Sequence, residues 1–543
     1  MIDRTLRRLD GTLHRLDRTL RLLTRNCRAT LLALGLTLLA AQPVAAEAPG
    51  KVPGPGSPAL TAAERRVSAH LDRIRDRPAA LAAFVRALPK GGELHSHLFG
   101  AVSTELLMDL AAADGMCVEN GSLRAFAPPC PAGSRPAEEL RTDAAFRRQV
   151  LRAWSMQDFR PGAESGHDHF FAAFGKFSAV AARHPGELLA EVANTAAGQR
   201  QFYSELMVSP NAAGADALAD RVGYDADLAR MRRKLLAGGA MDAAVRAARQ
   251  ETDEHLAAFR AAARCAAERP DPGCAVPFRF VWQVARNSAP ERVFAQIVLA
   301  MELAQRDPRF VAVNLVQPED GAVALRDYSL HMRMIGELRD VYPRAHVTLH
   351  AGELAPGLVK PEDLRFHIRE AVHVARAERI GHGVDIRHED GADELMAAMA
   401  ERRVAVEAAL TSNDQILGVS GAEHPFPLYR ERGVPVALAT DDAGVSRIDV
   451  SHEYQRAAVV YDLSYRELKD LARASLEHAF LPGRSLWRTT ADYRPVRACR
   501  AERRPGTRTP GPLCAAFLAA SPKAALEWRQ EAAFTAFERR VLA

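Results

Sequence analysis

The apolar positions of this chain change period along its length. Eight short runs are rich in aliphatic and β-branched residues: Gly92 to Leu98, Gln201 to Val208, Phe278 to Ala285, Phe310 to Val316, His346 to Ala351, Arg379 to Ile386, Val404 to Leu410 and Val434 to Thr440. Between the later runs, at 289–306, 322–340, 361–377 and 452–480, apolar residues recur every three or four positions. The short runs predict strands and the longer period predicts helices. Their alternation predicts a parallel sheet, and eight repeats of the unit predict an α/β protein with a closed (β/α)8 barrel of the TIM type. An open doubly wound sheet is the alternative, but no Gly-x-Gly-x-x-Gly follows any of these strands.

The spacing is uneven. About 100 residues separate the first two predicted strands and about 70 the next two, so long insertions after strands one and two are expected to cover the barrel mouth, where the connections after strands build sites. Residues 59–88 carry a helical period as an amino-terminal extension, 89–481 hold the barrel, and 482–543 combine a Pro- and Arg-rich loop with a final helix near 522–541. Residues 1–46 read differently: eight arginines, an apolar run from Ala29 to Ala41, then Val44, Ala45 and Ala46, the order of a secretory signal cleaved after Ala46. Leu6, Leu9, Leu13, Leu16 and Leu20 also allow an amphipathic helix there. Residues 47–58, rich in Pro and Gly, read as a linker.

Removing that segment changes the charge. Its eight arginines and three aspartates carry +5, which is the net charge of the whole chain, so the remainder is close to neutral. A basic footprint for a nucleic-acid polymer is therefore absent, and no apolar run reaches the roughly 18 residues of a membrane span. Seven cysteines become six, in three local pairs: Cys117 with Cys130, Cys265 with Cys274, and Cys499 with Cys514. Six cysteines permit fifteen pairings, but short loops cost least entropy to close. Three disulfides and export to a periplasmic or extracellular compartment are the expectation.

The polar residues fall at the carboxyl ends of the predicted strands, where parallel barrels place catalytic groups. His95 and His97 are two apart on a strand, so both side chains share a face. His350 and Asp441 arrive from other strands to complete a nitrogen and oxygen ligand set that suits zinc or a related divalent metal. Glu353 and Asp442 follow two of the same strands, His382 ends a fourth, and the three supply acid–base groups.

Together, Glu93-Leu94-His95-Ser96-His97-Leu98, His350-Ala351-Gly352-Glu353, Arg379-Ile380-Gly381-His382-Gly383 and Asp441-Asp442 resemble the adenosine deaminase family of metal-dependent hydrolases. Tyr203-Ser204-Glu205-Leu206, Ser412-Asn413, His424-Pro425 and the 468–475 segment add to the resemblance, which spans about residues 89–481 and is closest in character to the secreted, growth-factor-like branch. The resemblance implies one Zn2+ per chain on His95, His97, His350 and Asp441. It implies that Glu353 protonates purine N1, that His382 orients or deprotonates the zinc-bound water, and that Asp442 bonds the purine near N7. The implied ligand is a small purine nucleoside, adenosine or 2′-deoxyadenosine. Another 6-aminopurine is the alternative, as is an exported binding or signalling protein on the same scaffold. The sequence does not define an oligomeric state.

Three positions depart from the family pattern. Phe99 stands where many members have an acidic residue that meets the ribose, Gln317 where many have a glycine against the purine, and Ala443-Gly444 where a proline usually follows the aspartate pair. A second His-x-His, His167-Asp168-His169, begins a run of Phe170, Phe171, Phe174 and Phe177 at helical spacing. Residues two apart on a helix do not face each other, so this run reads as a helix over the barrel mouth with core aromatics. Trp154 and Trp282 are further candidates for the pocket. Neither Pro-Cys-x-x-Cys nor His-Glu-x-x-His is present, which sets aside the other zinc deaminase class and the zinc-helix proteases.

Overall fold

A computed structural model describes residues 60–502 and 504–543. The expected signal segment and linker lie outside them. Eight parallel strands form the central sheet in chain order: β1 (Gly91–His97), β2 (Gln201–Val208), β3 (Phe278–Ala285), β4 (Phe310–Val316), β5 (His346–Ala351), β6 (Arg379–His382), β7 (Ala405–Ala408) and β8 (Val436–Leu438). The sheet closes just past β8. The Asp441 amide donates to the His95 carbonyl (3.0 Å), and the His97 amide donates to the Asp441 carbonyl (3.2 Å). This is the (β/α)8 barrel that the alternation predicts, with the join between first and last strands made at residues of the site.

Several boundaries differ from the periodic pattern, each for a local reason. β6 ends at His382 rather than Ile386, because His382 and Gly383 both take positive φ (68° and 59°) and turn the chain. β7 ends at Ala408, and Leu410 already begins the Leu410–Leu417 helix. The 452–480 stretch is two helices, Val450–Val460 and Tyr465–Glu477. Ser464 and Glu467 form a capping box that starts the second. The 59–88 stretch likewise divides into Ala62–Ile74 and Pro78–Ala87, with Pro78 at a first-turn position that tolerates its missing N–H. Only His367–His373 of 361–377 is α-helical, after a 3-10 turn at Pro361–Leu364.

The insertion after β1 holds a small antiparallel sheet (Cys117–Glu119, Ala125–Phe126, Ser134–Pro136) and the helices Ala144–Ala153, Gly166–Ala181 and Pro185–Gly198. That after β2 holds Ala212–Val222, Leu228–Leu236 and Ala240–Ala262. Disulfides join Cys117 to Cys130, Cys265 to Cys274 and Cys499 to Cys514. The final helix, Pro522–Leu542, packs with Ala62–Ile74 on Tyr465–Glu477. Among the described residues, no helix is long and apolar enough to cross a membrane.

Candidate metal and acid–base site

The carboxyl ends of β1, β5 and β8 bring His95, His97, His350 and Asp441 together. His350 Nε2 lies 3.0 Å from His95 Nε2 and 3.2 Å from His97 Nε2. Asp441 Oδ1 lies 3.5 Å from His95 Nε2 and 3.3 Å from His97 Nε2. A tetrahedral zinc with bonds of about 2.0–2.2 Å separates its ligand atoms by roughly 3.3 Å. The four side chains thus already stand at the spacing of ligands around one ion. Among the described residues, the ligand-capable groups within 4.8 Å of one another are His95, His350, His382 and Asp441, and His97, Asp441 and Asp442; both sets contain Asp441.

Each of the three imidazoles is oriented through its other nitrogen. His95 Nδ1 donates to Glu407 Oε2 (2.7 Å), His97 Nδ1 to Gln283 Oε1 (3.1 Å) and His350 Nδ1 to Asn314 Oδ1 (2.9 Å). An Nδ1–H bound to an oxygen acceptor leaves the lone pair on Nε2. Three lone pairs and one carboxylate oxygen therefore face the same point. Asp441 Oδ2 accepts from Ser412 Oγ (2.7 Å), which fixes that carboxylate as well. Glu407 also pairs with Arg379 Nε (2.5 Å) inside the barrel.

The charge balance calls for a cation. Burial disfavours a charged His95, yet hydrogen bonds to Asp441 and Glu407 outweigh it and hold the ring up at about 10. Burial and the neighbouring His95 and His97 push His350 well below its ordinary value. Burial works against a charged Asp441, but its hydrogen bonds to His95 and His97 prevail and hold the acid well below the usual range. A proton on His95, or a divalent ion in place of it, satisfies this demand.

Two further carboxyls behave in the opposite way. Burial, reinforced by Asp441, raises Glu353 well above the usual range. Asp442 is raised by burial against the opposing pull of His97, and its Oδ1 has no hydrogen-bond partner among the described residues. Gly100 lets this carboxyl pack closely, because a Cβ there would fall 1.8 Å from Asp442 Oδ1. The Glu353 backbone is held by Glu319, whose carboxylate accepts from the amides of Gly352 (3.1 Å) and Glu353 (2.8 Å). Burial keeps His382 neutral, with its pKa down at about 3 against the pull of Asp441. Its Nε2 is 3.6 Å from Glu353 Oε1 and has no hydrogen-bond partner among the described residues. His382, Asp441 and Gln317 are non-glycine residues at φ of 68°, 59° and 80°, the kind of strain that clusters at functional sites.

These groups open onto a cavity of about 400 Å3 lined by His97, Phe99, Phe171, Phe174, Gln317, His350, Glu353, Asp441 and Asp442 among others. The lid helix Gly166–Ala181 supplies part of the wall. Phe171 and Phe174 are half-buried and face the cavity together with Phe170, while Phe177 is core, so the aromatic run is only partly the core stripe that its spacing predicts. His167 and His169 do not share a site: His167 Nε2 contacts Asp320 (3.0 Å) and His169 Nε2 donates to the Arg152 carbonyl (3.0 Å). Trp154 and Trp282 do not line the cavity. Both are fully buried, with indole N–H groups donated to the Leu123 and Pro210 carbonyls. Phe99 and Gln283 also line a second cavity of about 240 Å3, next to the first.

Sequence reasoning did not single out Glu407, Gln283, Asn314 or Glu319 as functional. The available signal was a polar residue at an inward register position of an otherwise apolar strand, or immediately after one.

The adenosine deaminase family model matches residues 163–486, more than half of the chain. An adenosine deaminase from Escherichia coli (strain SMS-3-5 / SECEC) is 37% identical over 195 residues, which are 35% of this chain and 53% of the relative. The chain spans about half the length of the curated relatives it matches. Among solved structures, Arabidopsis ADAL complexed with IMP aligns with a TM-score of 0.49 at 21% identity, covering 73% of this chain and 93% of that one. The adenine deaminase of Arthrobacter aurescens aligns with a TM-score of 0.47 at 18% identity, covering 73% and 94%.

Proposed function

The chain belongs to the adenosine deaminase family, and on that premise we propose that it hydrolyses the exocyclic amino group from a 6-aminopurine, adenosine or 2′-deoxyadenosine, releasing ammonia and inosine or 2′-deoxyinosine. The observation that carries the reading is the convergence of three imidazole Nε2 lone pairs and one carboxylate oxygen beside two buried carboxyls, Glu353 and Asp442, whose acids burial raises. His95, His97, His350 and Asp441 fit one zinc ion per chain in donor type, tautomer and spacing. When bound, such an ion supplies Lewis acidity that brings the pKa of water down to about 7.

The remaining chemistry belongs to the protein's own side chains. Glu353, a neutral acid at its raised pKa, donates a proton to ring N1 and makes C6 electrophilic. His382 sits 3.6 Å from Glu353 and contacts the incoming water. Asp442, also protonated, donates to N7, an acceptor that an ionised carboxylate would repel. Water oxygen adds to C6; one of its protons passes to the amino group, the C6–N bond breaks and ammonia leaves, and the other proton replaces the one Glu353 gave to N1 as C6=O forms. The Gln317 side chain is tied to the Asn287 amide (2.9 Å), so its left-handed backbone is the surface that meets the purine edge. The phenylalanine wall supports stacking of the flat ring. Export is part of the same proposal, supported by the pairing of all six described cysteines.

The test is a panel of adenosine, 2′-deoxyadenosine, adenine and an N6-modified adenosine, with ammonia release measured for the zinc-loaded protein. Turnover of at least one 6-aminopurine is expected. A metal-replete, folded protein that releases no ammonia from any of them would overturn the reading in favour of a binding protein.

A further inference from the structure

A chain of buried hydrogen bonds runs from the backbone to His382. The Phe426 amide donates to His424 Nδ1 (3.1 Å), His424 Nε2 meets Asn413 Oδ1 (3.0 Å), and Asn413 Nδ2 meets His382 Nδ1 (2.8 Å). All four residues are at most 1% exposed. The direction of the chain is set at its far end, because a backbone N–H can only donate. His424 Nδ1 must then carry the lone pair, so the proton of the neutral ring is on Nε2. Burial keeps that ring neutral, down at about 3. An N–H at His424 Nε2 requires the oxygen of Asn413 opposite it, which turns the amide NH2 towards His382 Nδ1. His382 Nδ1 is therefore an acceptor, and its proton is on Nε2, the unpartnered nitrogen that faces Glu353 and the metal ligands.

We propose that Asn413 and His424 are positioning residues that lock His382 as a hydrogen-bond donor at Nε2. The inference rests on the deaminase reading above. A ring in this tautomer has no lone pair to offer the attacking water. It orients the water oxygen and stabilises the negative charge that gathers on that oxygen as it bonds to C6. The proton released by water then needs another acceptor. Glu353, 3.6 Å from His382 Nε2 and ionised once its own proton has passed to N1, carries the water proton to the departing amino nitrogen. One proton leaves Glu353 for N1, the first water proton passes through Glu353 to the amino group and completes ammonia, and the second, left on the new hydroxyl at C6, returns to Glu353 as the C6–N bond breaks and C6=O forms. The relay thus separates two roles that His382 alone leaves ambiguous: it is the donor, and Glu353 performs the proton transfers.

Two measurements decide the matter. The first is the 15N spectrum of the His382 ring in the zinc-loaded wild type, assigned by its loss in His382→Gln. A protonated Nε2 and an unprotonated Nδ1 are expected; the reverse tautomer overturns the proposal, whether or not the protein deaminates anything. The second is kinetic. Asn413→Asp presents a carboxylate to Nδ1, which demands N–H there and turns a lone pair into the site. It is expected to lower kcat by about 10–100-fold with KM within threefold of wild type. His424→Phe, which removes the donor, is expected to lower kcat similarly, and His424→Gln, which keeps an N–H in place, to restore most of the loss. Equal kcat for Asn413→Asp and wild type, or equal losses for His424→Gln and His424→Phe, would overturn it.

Discussion

The barrel mouth and the wall around the Tyr465–Glu477 helix bury comparable sets of charged groups in opposite ways. Along that wall the two buried cations of the helix, Lys469 and Arg473, each have carboxylates. Lys469 lies 3.0 Å from both Glu64 and Glu538, and Arg473 makes a two-pronged pair with Glu531 at 2.7 and 2.9 Å. Burial would raise Glu531, but Arg473 holds it below the usual range. At the mouth, Glu353 and Asp442 are raised instead, and among the described residues His382 Nε2 and Asp442 Oδ1 have no hydrogen-bond partner. Paired buried charges tie terminal segments to the barrel. Unpaired ones cost stability and are kept where something else is to bind.

The contrast breaks most visibly at the proton donor. Glu353→Gln keeps the shape and the hydrogen bonds that the 352–353 amides donate to Glu319, but has no proton to give at N1. A loss of about a thousandfold in kcat is expected, with zinc content and unfolding midpoint unchanged. Activity within tenfold of wild type would remove Glu353 from its role.

Arg473→Met probes the other region. It leaves Glu531 buried without its partner, and unfolding by denaturant should show a loss of about 3–5 kcal/mol. The kcat per folded molecule should remain within twofold of wild type. A large fall in kcat with little change in stability would mean that the two regions are not separable in this way.

The smallest effect concerns Glu64, where the amino-terminal helix begins. Burial raises its acid, but Lys469 and the Thr61 amide and hydroxyl overcome this and lower it from 4.5 to about 2. A depressed folded-state pKa contributes stability that is complete above the unfolded value near 4.5 and fades as pH falls towards 2. Glu64→Gln should therefore cost on the order of 1 kcal/mol at pH 6, with the gap to wild type narrowing between pH 4.5 and 3. A gap that stays constant with pH would remove the ionic part of the account.

How much of this was legible in the sequence depends on whether the information was local. The eight strands were visible because apolar runs and turn residues are short-range signals, and His95, His97, His350, Glu353, His382 and Asp441–Asp442 stood out because each ends such a run. The groups that orient them were not legible. Glu407 acts on His95 from β7 and Asn314 on His350 from β4, and which inward polar residue meets which imidazole is decided only when the barrel closes. The Asn413 and His424 relay was visible as a motif but not as a direction of hydrogen bonding. Phe171 and Phe174 share their 3.6-residue period with Phe177, so spacing could not separate residues facing a cavity from one facing the core. The end of β6 was misplaced because nothing local announces that His382 itself adopts a left-handed backbone.

The account turns on a single cation held by side chains from three strands. X-ray absorption at the zinc edge, together with metal content of the purified protein, measures this directly. One zinc per chain is predicted, with a first shell of nitrogen and oxygen only at about 2.0–2.2 Å and loss of the bound ion in His350→Ala. Substoichiometric metal that His350→Ala leaves unchanged, or a shell containing sulfur, would contradict it.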